Sequence, residues 1–359
     1  MHIGLIIYGS LDTLSGGYLY DRQLVDYLRE NGDNVEIISL PWSNYGRHLL
    51  HNFSNILQRM LENGRFDVLL QDELNHPSLF RLNPKLNGHV KYPIISIVHH
   101  LRCNETWPRW QQKLYAHIEG CYLRSVDGFI CNSQTTWDSV CGFLERKRPY
   151  TIAPPAGNRF NTILDKAAII TRAEEPGPLR IIFVGSLIPR KGLDLLLAAL
   201  AKLPIDSWQL AVVGDTAAAP HYTTRCQNLT RQLEITAHVR WHGRLSKAEL
   251  AQQMHNSHIL AVPSSYEGFG IVYLEGMAFG LPAIATTAGA AHEIITNGEN
   301  GFLVENEEIE IAAHLTQLHN NRQLLIQMSL AARQHFLQHP TWQTSMAQIR
   351  EFLCALSTV

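Results

Sequence analysis

The chain has 359 residues, 30 basic and 32 acidic side chains, a formal net charge of −2 and 45% hydrophobic residues. This length allows two domains, and the hydrophobic fraction supports full-sized cores rather than disorder. The near-neutral charge gives no overall attraction for nucleic acid. We expect neither a signal peptide nor a membrane span, because the start lacks a basic stretch and no apolar run reaches about 20 residues. The six cysteines form no CxxC pair, which indicates reduced thiols and a cytoplasmic protein.

Short apolar segments alternate with longer amphipathic ones in the first half of the chain. They predict strands at 2–8, 35–40, 67–71, 94–98, 128–132 and 150–152. After the first strand, a loop ending in Gly16 and Gly17 leads into a predicted helix at 18–30. Unpaired amides at such a helix start favour an anion. A plain flexible turn is the competing interpretation.

Proline and glycine punctuate the middle of the chain at 154–158 and again at 174–178, which predicts a linker with the domain boundary near 160–178. The alternation then restarts, with strands predicted at 179–185, 209–214, 239–242, 259–262 and 283–286, and a last helix at about 343–357. Two doubly wound parallel units are therefore expected. In such units, ligands bind at the carboxyl ends of the strands.

Two adjacent cations, Arg190 and Lys191, separate the predicted strand at 179–185 from a helix predicted at 193–202. A helix N-terminus disfavours cations, so a bound anion such as a diphosphate explains them better than a solvated pair does.

Two carboxylates, Glu267 and Glu275, flank the segment Gly268-Phe269-Gly270 and the start of an apolar helix. The spacing places Glu267 on a loop and Glu275 about one turn into the helix. The amides near Gly270 suit an anion, and the carboxylates suit hydroxyl groups. A nucleotide sugar offers both, with a diphosphate between two polyhydroxylated ends.

Residues 267–282 resemble the donor-site signature of retaining glycosyltransferase family 4, within glycosyl transferases group 1, except that Gly276 stands where Ala is usual. The resemblance implies a GT-B fold, which is an α/β architecture of two Rossmann-like, doubly wound domains facing across a cleft. We predict an acceptor domain at 1–165, a nucleotide-sugar donor domain at 178–340, and a terminal helix at 341–359 that packs back on the first domain.

The same resemblance implies roles for individual residues. His99 would lie near the reaction centre, with His100 facing elsewhere, although the assignment could be displaced by one residue. Ser186 stands where many members of the family carry Arg, and whether Arg190 replaces that Arg is open. The implied catalytic residues are His99, Arg190, Lys191 and Glu267, and the implied donor-binding residues are Gly16, Gly17, Ser186, Gly243, Phe269, Gly270, Ile271 and Glu275.

The expected reaction moves a hexose, with retention, from a UDP- or GDP-sugar to an acceptor hydroxyl. The chain has no Asp-x-Asp, so we expect neither a metal nor another cofactor. The alternatives are a non-catalytic GT-B protein that binds carbohydrate and a phosphorylase-like enzyme. The acceptor, a small molecule, glycan or glycolipid, stays open. A mixed stripe could touch a membrane surface or pack on the first sheet; it comprises Arg102, Trp107, Arg109, Trp110, Lys113, Leu114, Ile118 and Tyr122.

Overall fold

The computed structural model describes residues 1–13, 15–160 and 164–357. The chain forms two compact units: unit 1 comprises Met1–Pro155 and Pro340–Val359, and unit 2 comprises Ala156–His339.

Unit 1 is built on a six-stranded parallel sheet with the strand order β2-β1-β3-β4-β5-β6. The strands are β1 (His2–Tyr8), β2 (Asn34–Leu40), β3 (Val68–Asp72), β4 (Ile94–Val98), β5 (Gly128–Cys131) and β6 (Tyr150–Ile152). The helices before the boundary are α1 (Gly16–Glu30), α2 (Tyr45–His48), α3 (Asn55–Glu62), α4 (His76–Leu79), α5 (Asn83–Leu86), α6 (Arg109–Ser125) and α7 (Gln134–Cys141). Every residue of β3, β4 and β5 is buried, as expected for parallel strands covered on both faces.

Unit 2 repeats this arrangement with the strand order β12-β11-β10-β7-β8-β9. Its strands are β7 (Leu179–Val184), β8 (Trp208–Val213), β9 (Val239–Gly243), β10 (Ile259–Ala261), β11 (Ala283–Thr286) and β12 (Gly301–Val304). Its helices are α8 (Lys166–Glu174), α9 (Leu193–Leu200), α10 (Pro220–Gln232), α11 (Lys247–Asn256), α12 (Ile271–Ala278), α13 (Glu308–Asn320) and α14 (Arg322–Gln338). The eleven predicted strands are all present, each within one residue of its expected ends, whereas β12 was not predicted.

The segment after Pro155 is built into unit 2 and does not form a free linker. A side chain at Gly157 would lie 2.6 Å from the backbone of Leu274, so this glycine permits close packing on α12. Phe160 is buried in the core of unit 2, and the Leu164 N–H donates to the Ala278 carbonyl at 3.2 Å. The contact boundary at 155/156 therefore lies earlier in the chain than the predicted limits of 165 and 178.

The last helix, α15 (Trp342–Ser357), belongs to unit 1 and packs against α1. Arg350 donates from Nε to Asp33 Oδ2 at 2.6 Å, and Ser345 Oγ donates to the Pro154 carbonyl at 2.6 Å. The Asp33 carboxylate is buried, and its countercharge comes from both the Arg350 guanidinium and the Met1 ammonium, which lies 2.7 Å from Oδ1.

Two further expectations concern membrane spans and thiols. Within the described ranges, no helix is both long and apolar enough to cross a bilayer. All six cysteines are free thiols, and Cys103, Cys131 and Cys226 are buried.

Candidate active site

The carboxyl ends of β7, β8 and β9 meet at one edge of the sheet in unit 2. The Gly185 N–H donates to the Val213 carbonyl at 3.0 Å, and the Gly214 N–H donates to the Gly243 carbonyl at 2.9 Å. Ser186 follows Gly185 at this edge. The structure therefore brings the predicted Ser186 and Gly243 segments to the same side of the sheet.

The predicted cations lie in a 3-10 helix, Pro189–Lys191, directly before α9. The Arg190 carbonyl accepts from the Ser265 N–H at 2.8 Å, and Arg190 Nη1 donates to the Tyr266 carbonyl at 2.6 Å. These bonds join the loop after β7 to the loop after β10, so residues 76 positions apart in sequence form one cluster.

Glu267 is the centre of this cluster. Lys191 Nζ and Ser264 Oγ both donate to Oε1, the second at 2.6 Å, and Arg190 Nη1 lies 3.5 Å from Oε2. Burial opposes ionisation of the carboxyl, but Lys191, Arg190 and the hydrogen bonds lower the pKa of Glu267 to about 2. Burial lowers the pKa of Lys191, and the charge of Glu267 opposes that effect.

The sequence indicated a bound anion such as a diphosphate as the partner of Lys191, whereas the structure pairs Lys191 with a carboxylate of the chain itself. The Lys191 side chain is only 15% accessible, and the chain itself supplies the anion, Glu267. The cluster contains two cations and one carboxylate, so it keeps one net positive charge.

The backbone of Glu267 is held by the loop after β11. The Ala290 N–H donates to the Glu267 carbonyl at 2.8 Å, and Gly289 adopts a φ of +84° beside it. A Cβ at Gly289 would overlap the Glu267 carbonyl oxygen, so only glycine allows this approach.

Helix α12 begins at a glycine with an unusual backbone conformation. Gly270 has a φ of +97°, and a Cβ there would lie 2.5 Å from the ring of Tyr273. Gly270 has no side chain to cap the amides of the first turn, which starts at Ile271. The Phe269 side chain is buried, 5.9 Å from the His339 ring between centroids, so it belongs to the core.

Glu275 lies on the second turn of α12 and is almost fully buried. Arg159 Nε lies 3.1 Å from Glu275 Oε1, although the two atoms are not aligned as a hydrogen bond. Burial raises the pKa of Glu275 to about 7, and the Arg159 charge opposes this rise. Arg159 was not predicted; its guanidinium lies 4.9 Å from the Phe160 ring centroid.

In unit 1, the two adjacent histidines after β4 have different partners. His99 Nε2 lies 3.3 Å from Asp21 Oδ1, whereas His100 Nε2 lies 2.9 Å from Glu105 Oε1. Burial favours the neutral ring of His99, but the charge of Asp21 outweighs burial and raises the pKa of His99. A Cβ at Gly17 would lie 3.0 Å from His99 Cδ2. Packing against the ring is therefore one physical reason for glycine at 17, the second residue of α1 after Gly16.

Two carboxylate–histidine groups in unit 1 were not predicted. Asp21, Asp72 and His99 offer ligand atoms within 4.8 Å of one another, as do Glu73, His76 and Glu119, so either group could hold a metal ion. Burial raises the pKa of Asp72 to about 7, of Glu73 to about 8 and of Glu119 to about 7. The members come from α1, α4, α6 and the ends of β3 and β4, so only the folded sheet brings them together.

One cavity of unit 2, about 640 Å³, lies elsewhere, on the face of β7, β8 and β9 beside α8 and α11. It is lined by Arg172, Arg180, Arg240, His242 and other residues, none of which belongs to the predicted site.

The fold is similar to that of solved two-domain structures. A sucrose-phosphate synthase from Thermosynechococcus elongatus superposes with a TM-score of 0.84 at 18% identity, covering 99% of both chains. The Anabaena protein HepE in complex with UDP-glucose superposes with a TM-score of 0.75 at 18% identity, covering 99% of this chain and all of that one. Together with the two six-stranded parallel sheets, these similarities show a two-domain GT-B fold, as predicted.

The sequence of unit 2 is similar to a known family. Residues 166–335, just under half of the chain, match the family model described as Glycosyl transferases group 1. The D-inositol 3-phosphate glycosyltransferase of Corynebacterium jeikeium is 33% identical over 62% of this chain and 55% of its own. The alignments with similar curated relatives span 39% to 63% of those relatives.

Proposed function

We propose that the protein is a retaining glycosyltransferase that moves a hexose from a nucleotide-diphosphate sugar to an acceptor hydroxyl. The observation that carries this proposal is the cluster of Glu267, Lys191, Arg190 and Ser264, which lies in the region similar to the group 1 model and close in sequence to the start of α12. It combines a fixed carboxylate for hydroxyl groups with a surplus positive charge for phosphate.

The donor roles follow from charge and position. Glu267 is ionised at every physiological pH, so it can accept hydrogen bonds from sugar hydroxyls throughout. The uncapped amides near Gly270 and Ile271 are hydrogen-bond donors at a helix N-terminus, where an anion is favoured. We therefore assign the diphosphate to them. Glu275 is assigned to the ribose hydroxyls and Gly243 to the nucleobase.

The catalytic step needs stabilisation of the departing diphosphate. Negative charge develops there as the glycosidic bond breaks, and preorganised positive charge is usually the largest catalytic contribution. Arg190 and Lys191 are held rigidly by Glu267 and Tyr266, so they require little reorganisation. Retention would follow from front-face attack, with a donor phosphate oxygen taking the proton of the acceptor hydroxyl.

Other parts of the proposal rest on the family resemblance. His99 is assigned to the transferred sugar, and Gly16, Gly17 and Ser186 to the donor phosphates. We propose a reaction without metal, located in the cytoplasm. The HepE complex with UDP-glucose supports a UDP-sugar, and a GDP-sugar is retained as the second donor class.

A donor screen tests the proposal. The protein is incubated with UDP- and GDP-linked hexoses and a panel of sugar, glycan and glycolipid acceptors, and released nucleotide is measured. We expect nucleotide release that depends on the acceptor, and a product whose anomeric configuration, measured by NMR, is the same as that of the donor. Release should be lost in Glu267→Gln but not in the surface control Glu307→Gln. Melting curves show whether each variant folds.

Three outcomes would contradict the proposal. Nucleotide binding without release would indicate a non-catalytic binding protein. Cleavage that depends on inorganic phosphate would indicate a phosphorylase-like enzyme. Inverted product would refute retention alone.

A further inference from the structure

We propose that an apolar ridge on unit 1 docks the protein on an anionic lipid bilayer. The ridge consists of Trp42, Leu50, Phe53, Ile56 and Met60. Of the eleven exposed large hydrophobic side chains among the described residues, these five fall within a short stretch of sequence. Such a concentration differs from the scattered single residues that are normal on protein surfaces.

Helix α3 carries apolar side chains both in the core and at the surface. Leu57 and Leu61 are buried, whereas Ile56 and Met60, four residues apart, are 84% and 42% exposed. Phe53, which ends the 3-10 helix before α3, is 63% exposed. A residue before a helix cap often packs on the fourth helical residue, but that residue here is Gln58, so this contact does not account for Phe53.

The backbone that carries the ridge is fixed. Asn52 is fully buried; its Nδ2 donates to the Pro77 carbonyl at 2.7 Å and its Oδ1 accepts from the Arg81 N–H at 2.8 Å. The Trp42 ring lies 5.8 Å from the Tyr8 ring between centroids. The exposure of these side chains is therefore built into the fold.

The charges around the ridge indicate an anionic surface as the partner. No Asp or Glu occurs from residue 37 to residue 61. Arg47, Arg59 and Lys85 are exposed, and Lys85 Nζ lies 5.9 Å from the Phe53 ring centroid. Apolar and aromatic side chains flanked by cations are the composition of surfaces that insert into an anionic bilayer interface.

A second copy of the chain fits this ridge less well. Closed dimers bury the same patch from both subunits, and here that would bring the same cations face to face without carboxylates from this stretch.

The stripe between Arg102 and Tyr122, for which the sequence left membrane contact open, is only partly exposed. The Arg102 guanidinium lies 4.8 to 5.3 Å from the ring centroids of Tyr45, Trp107 and Tyr115, and Ile118 and Tyr122 are buried. Four of its eight members pack within unit 1, whereas Arg109, Trp110, Lys113 and Leu114 are exposed.

Vesicle co-sedimentation tests the proposal without donor or acceptor, so its outcome is independent of the transfer reaction. The full chain is mixed with vesicles of phosphatidylglycerol and phosphatidylcholine, or of phosphatidylcholine alone. We expect binding to the anionic vesicles, reduced when salt rises from about 0.1 M to about 1 M. The double variant Phe53→Ser/Ile56→Ser should bind at least about tenfold more weakly.

The control is Ile205→Ser/Ile309→Ser, which removes two exposed side chains of the same kind from unit 2 and should bind as the parent does. Because Phe53 and Ile56 are exposed, both double variants should melt like the parent. Three results would each overturn the proposal: no binding of the parent to anionic vesicles at low salt, equal binding by the ridge variant, or a parent dimer in sedimentation velocity that the ridge variant abolishes.

Discussion

Replacing Glu275 by Gln should stabilise unit 2 at alkaline pH and weaken nucleotide binding at the same time. Burial raises the pKa of Glu275 from 4.5 to about 7, and Arg159 does not compensate for that burial. Between these two values the folded state holds a proton that the unfolded state releases, so the stability of the parent falls as the pH rises. At about 1.4 kcal/mol per pH unit, the cost reaches on the order of 3 kcal/mol above pH 7.

Glutamine has nearly the same shape and no charge to bury. The stability difference between Glu275→Gln and the parent should therefore be near zero at pH 4 and grow to about 3 kcal/mol at pH 8. For a domain of this size, that corresponds to roughly 6–12 °C in melting temperature. Loss of a charged acceptor should weaken nucleotide affinity by about 1.5–3 kcal/mol.

The assay is a set of melting curves from pH 4 to pH 8, combined with nucleotide titrations at pH 8. Glu307→Gln, on the surface before α13, is the matched control and should leave both quantities unchanged. A stability difference that does not change with pH would refute the reasoning about burial. Unchanged nucleotide affinity in the folded variant would refute the assigned role of Glu275.

Lys191→Ala should destabilise the protein by about 3–5 kcal/mol, because it leaves the buried carboxylate of Glu267 with a weaker partner, and should lower turnover about 10²- to 10³-fold. Lys202→Ala breaks an ion pair that is largely exposed and should change stability by less than about 1 kcal/mol in the same denaturation assay. Gly270→Ala should destabilise by at least about 1 kcal/mol in urea titrations, since its φ of +97° is unfavourable for alanine and the new Cβ would meet Tyr273. Chelation with EDTA should leave the transfer rate nearly intact.

Each of these expectations can fail separately. Parent-like turnover by folded Lys191→Ala would move the role to Arg190. A parent-like midpoint for Gly270→Ala would show that the start of α12 adapts without strain. Loss of activity in EDTA, with rescue by Mn²⁺, would point to a metal ion and direct attention to the carboxylate–histidine groups of unit 1.

Strand positions could be predicted because most strands are apolar segments flanked by polar and turn-forming residues. Strands β1, β4, β6 and β11 were predicted at their observed bounds, and all of them except β6, whose Tyr150 is exposed, are almost entirely buried. Strand β12, Gly301–Val304, follows β11 without an intervening long helix, so the alternation of apolar strands with long amphipathic segments does not mark it.

The residues of the donor cluster were predictable, but their pairing was not. Lys191 and Glu267 were each singled out from local motifs, yet nothing local shows that they form an ion pair across 76 positions. The same holds for Arg159 with Glu275 and for Asp21 with His99, which are 78 positions apart. Burial and charge pairing arise only when the folded sheet brings distant residues together. The sequence alone therefore does not show which carboxylate pairs with a predicted cation.

Because α15 belongs to unit 1, the order in which the two units are synthesised differs from the order in which they can finish folding. Unit 2 is one uninterrupted stretch of chain, whereas unit 1 needs residues from both sides of it. During translation, α1 must wait for α15, more than three hundred residues later, before it is covered, and Asp33, already paired with the Met1 ammonium, gains Arg350 as a second countercharge only then. The half that is made first should therefore finish folding last. A fragment cut at Pro155 would lack the helix that covers α1, while residues 156–339 could be expressed as a self-contained unit.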